Sequence, residues 1–180
     1  CRQNNEEQHH LTNLLLGYCI ILSYAGDYSK AIATLNEAAE RNHRQPTPDK
    51  EIEAKIYMQF GVINFFQKRF DDALFYYRKS EAIAVSTKNK MGISIAKNNI
   101  ANVYQKKGEY RQAIDSYRKC IKLQEELQDT ATLANTYFNL GSCYEELSIQ
   151  DRAKAYYKLA YSLAHTINDI EILSLSLIHL

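Results

Sequence analysis

Few side chains in this sequence combine the right chemistry with the right spacing for a catalytic or metal site. His9 and His10 are the one adjacent histidine pair. Neighbouring helical residues point about 100° apart, so the two rings would not close on one metal, and a frayed polar N-terminus is the plainer reading. His43 falls in a loop, His165 at a helix end and His179 at the chain terminus. Cys1, Cys19, Cys120 and Cys143 are widely scattered with no C-x-x-C pair, which argues against a disulfide framework and a zinc site alike. Cys120 and Cys143 lack a histidine partner at any readable spacing and read as small buried hydrophobes. Glu125-Glu126 and Glu145-Glu146 could be paired acids, but adjacent helical carboxylates diverge into solvent. No glycine-rich phosphate loop or nucleophile elbow occurs. The reading is a protein that is not an enzyme, with no catalytic residue, no metal and no cofactor.

Binding chemistry remains, and composition narrows its partners. The 180 residues carry 22 Lys+Arg against 21 Asp+Glu, which leaves no net field for nucleic acid or an anionic membrane. Tyr76-Tyr77-Arg78-Lys79 and Tyr156-Tyr157-Lys158 mix aromatics with cations as RNA binders do. One Tyr of each pair is needed for packing between helices, however, so core plus an exposed amphipathic residue explains them better. The longest apolar run, Leu14 to Leu22, is broken by Gly17 and falls short of the roughly 20 residues a membrane span needs. Cys1 followed by Arg2-Gln3-Asn4-Asn5 fits either an arbitrary boundary or the lipidated N-terminus of a bacterial envelope protein. The compartment is otherwise unknown, cytoplasmic by default.

The elements that must position any binding residues follow from an internal repeat. Asp49, Asn89, Asp129 and Asp169 are each 40 residues apart, as are Ala73, Ala113 and Ala153, and Tyr77, Tyr117 and Tyr157. Each unit reads as two helices. In the third, Ile93, Ile100, Val103 and Tyr104 recur at helical spacing, and so do Tyr110, Ala113, Ile114, Tyr117 and Ile121. Gly108 between them suits the left-handed residue that ends a helix, and Glu109 can start the next. Asp27, Asp49, Asn89, Asp129 and Asp169 fit N-caps. The spacing predicts helices at 8–24, 28–43, 50–67, 71–87, 90–107, 111–127, 130–147, 151–167 and 170–180. The first unit slips by two residues, which the stretch Arg41 to Pro48, holding the only two prolines, absorbs as a loop. Repeats then cover about 7–44, 49–88, 89–128 and 129–168, with a truncated fifth at 169–180, in one array over 1–180. Leu173, Leu175, Leu177 and Leu180 have no second helix to cover them, so the last hairpin should expose an apolar side through which chains could self-associate.

Within each unit a small residue stands three before an aromatic (Ala101 before Tyr104, Gly141 before Tyr144). After a tight turn come an Ala, an aromatic four further on and a small residue three after that: Ala113-Tyr117-Cys120 and Ala153-Tyr157-Ala160. This resembles the tetratricopeptide repeat. The 40-residue step in place of the usual 34 is similar to the extended subclass of kinesin light chains and of the bacterial Rap- and PlcR-type peptide receptors. Lys97 stands where a bulky apolar residue is usual, Gln150 replaces the aromatic seen at Tyr28, Phe70 and Tyr110, and Cys19 and Asn64 occupy small and aromatic motif positions.

The resemblance implies an all-α fold, a right-handed superhelix (α-solenoid) of antiparallel helix hairpins, whose first helices line the concave face. By register the inward residues are then Asn13, Leu16, Ile20 and Ser23; Lys55, Met58, Val62 and Phe65; Ile95, Asn98, Asn102 and Gln105; and Asn135, Phe138, Ser142 and Glu145. An amide offers both donor and acceptor and can pair with a peptide backbone of any sequence, as inner-face Asn residues do in Rap-type receptors. The implied peptide-binding set is Asn98, Asn102, Gln105 and Asn135, with Met58, Val62, Phe65 and Phe138 receiving side chains, and removing Asn98 and Asn102 is expected to leave folding nearly unchanged. The alternative for the amides is a solvated helix face. Leu16, Met58 and Ile95 stand where the carboxylate clamp of chaperone-binding repeats needs charged or polar groups, so that activity is not implied. The implied function is peptide or protein binding, either as a scaffold or as the sensory segment of a larger regulator, such as a bacterial transcription factor or kinase.

Overall fold

The computed structural model describes residues 2–180, with side chains from His9 onward. Cys1, and the lipidation reading with it, lies outside the described residues. Among these, nine α-helices and no strand occur: α1 Arg2–Tyr24, α2 Tyr28–His43, α3 Lys50–Phe66, α4 Phe70–Ser86, α5 Lys90–Lys106, α6 Tyr110–Leu127, α7 Thr130–Glu146, α8 Gln150–Ile167 and α9 Ile170–Ile178. None of these helices is long and apolar enough to cross a membrane. The all-α hairpin architecture and the helix boundaries agree with the repeat reading to within a residue or two, except at two places. The end at His9-His10 is helical rather than frayed, and His9 Nδ1 lies 3.4 Å from Asp49 Oδ2. The loop after the first hairpin is shorter than Arg41 to Pro48, because Arg41–His43 finish α2. Asn42 closes that loop with both ends of its amide: Nδ2 donates to the Asp49 carbonyl (3.0 Å) and Oδ1 accepts from the Asp49 N–H (2.9 Å).

Five helix starts follow from a polar residue that satisfies the unpaired N–H groups of a first turn. Asp27 accepts from Lys30 N, Asp49 from Glu51 N and Ile52 N, Asn89 from Gly92 N, Asp129 from Thr132 N and Asp169 from Ile172 N. Glu109 stands at the N-cap of α6 but its side chain makes no capping bond. Gly26 and Gly108 end their helices in the left-handed region, at φ 79° and 77°. The same conformation recurs at Lys68 and Ser148 in hairpin turns and at Lys88, Gln128 and Asn168 between repeats.

The chain forms two compact units, Cys1–Ala96 and Lys97–Leu180, the division falling inside α5. In the first, α1 packs on α2, α3 on α4, and α3 also against α1 and α2. Its core gathers Leu16, Cys19, Leu22, Ala31, Leu35, Ala38, Ile52, Ile56 and Ile63. In the second, α7 packs on α8 and contacts α6 and α9, around Ala101, Tyr117, Leu140, Cys143, Tyr144 and Tyr157. Tyr77, Tyr117 and Tyr157 are fully enclosed, while Tyr76 and Tyr156 are half-buried, the division of labour expected within each Tyr pair. In α9, Leu173 packs into a small cluster with Ala134, Ala160, Ala164 and Ile172. Ile170, Leu177 and Ile178 stay exposed.

Candidate functional site

In the second unit the first helices α5 and α7 are joined side by side by polar groups. Asn98 Oδ1 lies 3.3 Å from Thr136 Oγ1, a hydroxyl that shares its one hydrogen between Asn98 and the nearer Thr132 carbonyl (2.9 Å) and accepts from buried Gln124. Asn102 Oδ1 accepts from Tyr117 Oη at 2.6 Å and from Asn139 Nδ2 at 3.4 Å. Gln105 lies 2.8 Å from the same Tyr117 hydroxyl and 3.3 Å from Ser142 Oγ. A phenol has one hydrogen to give; the shorter contact assigns it to Asn102 Oδ1, and Gln105 completes the pair by turning its NH2 inward. The packing that creates this arrangement is plain. Tyr117 fills the hairpin core, burial pushes its ionisation well up, and its hydroxyl emerges between the first helices, where a polar partner must satisfy it.

The row is thus partly structural. From sequence, the loss of Asn98 and Asn102 is expected to leave folding nearly unchanged; the structure adds that both carbonyl oxygens have contacts within the protein. Their amide nitrogens make no hydrogen bond among the described residues. Asn135, one turn earlier on α7, is exposed. Phe138 is half-buried, tilted on the Tyr157 ring (5.4 Å between centroids) and edge-on to His179 (6.0 Å).

At the far end of the row Glu145 accepts from the Tyr157 hydroxyl at 2.7 Å. His179, which the sequence reading set aside as a terminal residue, stacks on Tyr157 at 4.7 Å and brings Nδ1 within 3.1 Å of Glu145. The Tyr157 hydrogen bond first, and then His179, hold Glu145 below the usual carboxylate range. A carboxyl depressed on folding contributes stability that is present above its unfolded pKa, about 4.3, and lost as pH falls through the lower folded value. Acid titration followed by hydrogen exchange in α7 and α8 should therefore show protection falling below about pH 4. Tyr157→Phe should flatten that fall, and an unchanged profile would remove Glu145 as its source.

In the first unit Met58, Val62 and Phe65 are half-buried along α3. Phe65 meets Phe66 and Phe70, with centroids 6.1 and 5.9 Å apart. Val62 and Phe65 hold the register positions of Asn102 and Gln105, and the Tyr77 hydroxyl makes no hydrogen bond among the described residues. Lys55, Ile20 and Ile95 are exposed, and Asn13 is half-buried with its amide on the His9 carbonyl. Two expected inward residues are not available to a ligand. Leu16 is 5% exposed and belongs to the core, and Ser23 is 2% exposed and donates to the Cys19 carbonyl. The reason is that α1 packs against both α2 and α3. Cys19, Cys120 and Cys143 are buried free thiols. Burial pushes Cys143 up to about 12, so it is inert as a nucleophile at neutral pH.

The family model described as Tetratricopeptide repeat matches residues 11–84 and 92–164. The chain is 26% identical over 175 residues to outer dynein arm-docking complex subunit 4 of Homo sapiens, covering 94% of this chain and 25% of that protein. It is 27% identical over 128 residues to the transcriptional activator NprA of Geobacillus stearothermophilus, covering 71% and 32%. The chain therefore spans about a quarter to a third of these relatives. Among solved structures, aspartyl phosphate phosphatase F of Bacillus subtilis superposes with a TM-score of 0.88 at 16% identity, over 94% of this chain and 44% of that one. BtubC of P. vanneervenii gives 0.81 at 20% identity, over 92% and 66%. A Rap protein complexed with competence and sporulation factor gives 0.77 at 14% identity, over 91% and 46%.

Proposed function

Because the chain belongs to the tetratricopeptide-repeat family, we propose that it is a non-catalytic module that binds a peptide or protein on the face of its first helices. The observation that carries this reading is the amide row of α5 and α7. Asn98 and Asn102 keep their oxygens engaged internally and their nitrogens unpaired, which fixes the amides in orientation while leaving donors for a backbone carbonyl. Asn135 extends the polar row. Phe138 in this unit, and Met58, Val62 and Phe65 in the other, are the apolar surfaces that would give side-chain selectivity. The Rap protein bound to a competence and sporulation factor lends support by analogy of fold alone. The transcriptional activator among the relatives favours a second reading of the same surface, in which ligand binding there regulates a larger protein.

The test uses a peptide selected from a displayed library against the purified chain. Asn98→Ala with Asn102→Ala should weaken its binding by roughly 10- to 30-fold in calorimetric titration, two hydrogen bonds at about 1 kcal/mol each. The fold should survive, because Gln105 still meets the Tyr117 hydroxyl and Thr136 keeps the Thr132 carbonyl. Unchanged affinity in a folded double variant would reject the amide row as the binding surface.

A further inference from the structure

On the opposite flank of α3 the first unit carries a trough that the proposed function does not use. At about 100° per residue, Tyr57 and Phe60 point well away from Met58, Val62 and Phe65, toward the gap between α2 and α4. The gap has a volume of about 580 Å³, the size range of small-ligand and side-chain pockets. Its wall is aromatic. Tyr76 stacks on Phe60 with centroids 5.1 Å apart and on Tyr57 at 6.3 Å, and Phe75 meets Tyr76 edge-on at 5.3 Å. Phe75 keeps 53% of its surface exposed.

The charges around the trough are almost all spoken for. Lys50 pairs with Glu53 at 3.0 Å, and Glu40 with Arg44 at 3.0 Å. Lys79 is the exception. Its ammonium stands over the Phe75 ring at 4.5 Å and the Tyr57 ring at 5.0 Å, with no carboxylate beside it among the described residues. The ring contacts leave the ammonium's N–H donors without an acceptor, and a carboxylate supplies one through a charge-assisted hydrogen bond. An incoming acid can pair with Lys79 where it stands at the rim, while the exposed Phe75 ring receives an apolar side chain.

We propose that this trough docks a short segment of a partner protein presenting Leu or Phe next to Asp or Glu. The aromatic wall takes the apolar side chain and Lys79 takes the carboxylate. The site is separate from the amide row, so either can fail alone.

The experiment titrates the whole chain with capped pentapeptides carrying Leu or Phe beside Asp, alongside their Asn counterparts, and follows aromatic NMR signals of Tyr57, Phe75 and Tyr76 together with calorimetry. The Asp peptides should move those signals and bind at least about threefold tighter than the Asn peptides, a difference of under 1 kcal/mol as for an exposed ion pair. Lys79→Glu should reverse the preference, Phe75→Ala should weaken all members of the set, and Asn98→Ala with Asn102→Ala should change nothing. Both substituted groove residues are exposed, so the variants fold. Equal binding of Asp and Asn peptides, persistence of the preference in Lys79→Glu, or shifts confined to α5 and α7 would each overturn the proposal.

Discussion

Gly61→Ala should be among the most damaging single methyl additions to this chain. A Cβ built on Gly61 overlaps the ring of Tyr77, meeting its Cδ1 and Cε1 well inside any real contact distance. Tyr77 is 2% exposed, so the ring has no room to retreat without moving α4. Overpacking of this kind costs about 1–3 kcal/mol, and the tightness here puts the change at the upper end. Gly141 faces Tyr157 in the same way, but its added Cβ would lie 2.9 Å from the ring, a smaller intrusion that should cost less. The third repeat already holds Ala101 in one core cluster with Tyr117, both at 0% exposure, so that hairpin is built with the methyl in place. Gly17 supplies the control: nothing lies within 4 Å of its added Cβ, and Gly17→Ala should stabilise by about 0.5–1 kcal/mol through helix propensity alone. Repeat proteins need not melt in one step, so the measurement is hydrogen exchange in α3 and α4 alongside thermal melts. Gly61→Ala within about 0.5 kcal/mol of the parent would contradict the packing argument.

The features readable in the sequence are those where one residue type has one physical reason to be present. An Asp or Asn at each repeat start answers unpaired N–H groups, and a Gly or Ala three before an aromatic answers close helix approach. The left-handed turn residues Lys68, Lys88, Gln128 and Ser148 were not readable. Their types carry no preference for positive φ, and the turn is imposed by its hydrogen bonds, such as Lys68 N to the Phe65 carbonyl and Arg69 N to the Asn64 carbonyl. The amides of the candidate site were found by register, but their internal role was not. It had a signal: the residues 12 and 15 before each core Tyr are Gln105 and Asn102, then Glu145 and Ser142, polar in both cases. Before Tyr77 they are Phe65 and Val62. His179 had no such signal, since only the docking of α9 brings it to a residue 34 positions away. The trough beside Tyr57 and Lys79 was obscured because its walls come from three helices, and a half-buried aromatic on one helix reads as ordinary amphipathicity.

The same contrast between repeats gives the second large effect. Replacing Asn102 and Gln105 together by Leu should cost about 2 kcal/mol, because it strips the fully enclosed Tyr117 side chain of two hydroxyl partners and leaves it Asn139 alone. Tyr117→Phe alone should cost about 1 kcal/mol, since it frees the two amides to find other partners while keeping the ring. Tyr77→Phe should be neutral or mildly stabilising, because its hydroxyl bonds nothing among the described residues and burial already pushes its ionisation up. Combining Tyr117→Phe with the two Leu substitutions removes donor and acceptors at once and should recover most of the loss, a coupling readable in a mutant cycle from denaturant midpoints. Additive losses would mean that the phenol and the amides do not act as a pair. The recovered triple variant then separates packing from recognition. Its stability is restored while Gln105 and the Asn102 donor are gone, so a ligand held by the amide row must bind it more weakly than the parent. Undiminished binding by the triple variant would assign Asn102 and Gln105 to the interior of the repeat alone and leave Asn98 and Asn135 to account for recognition.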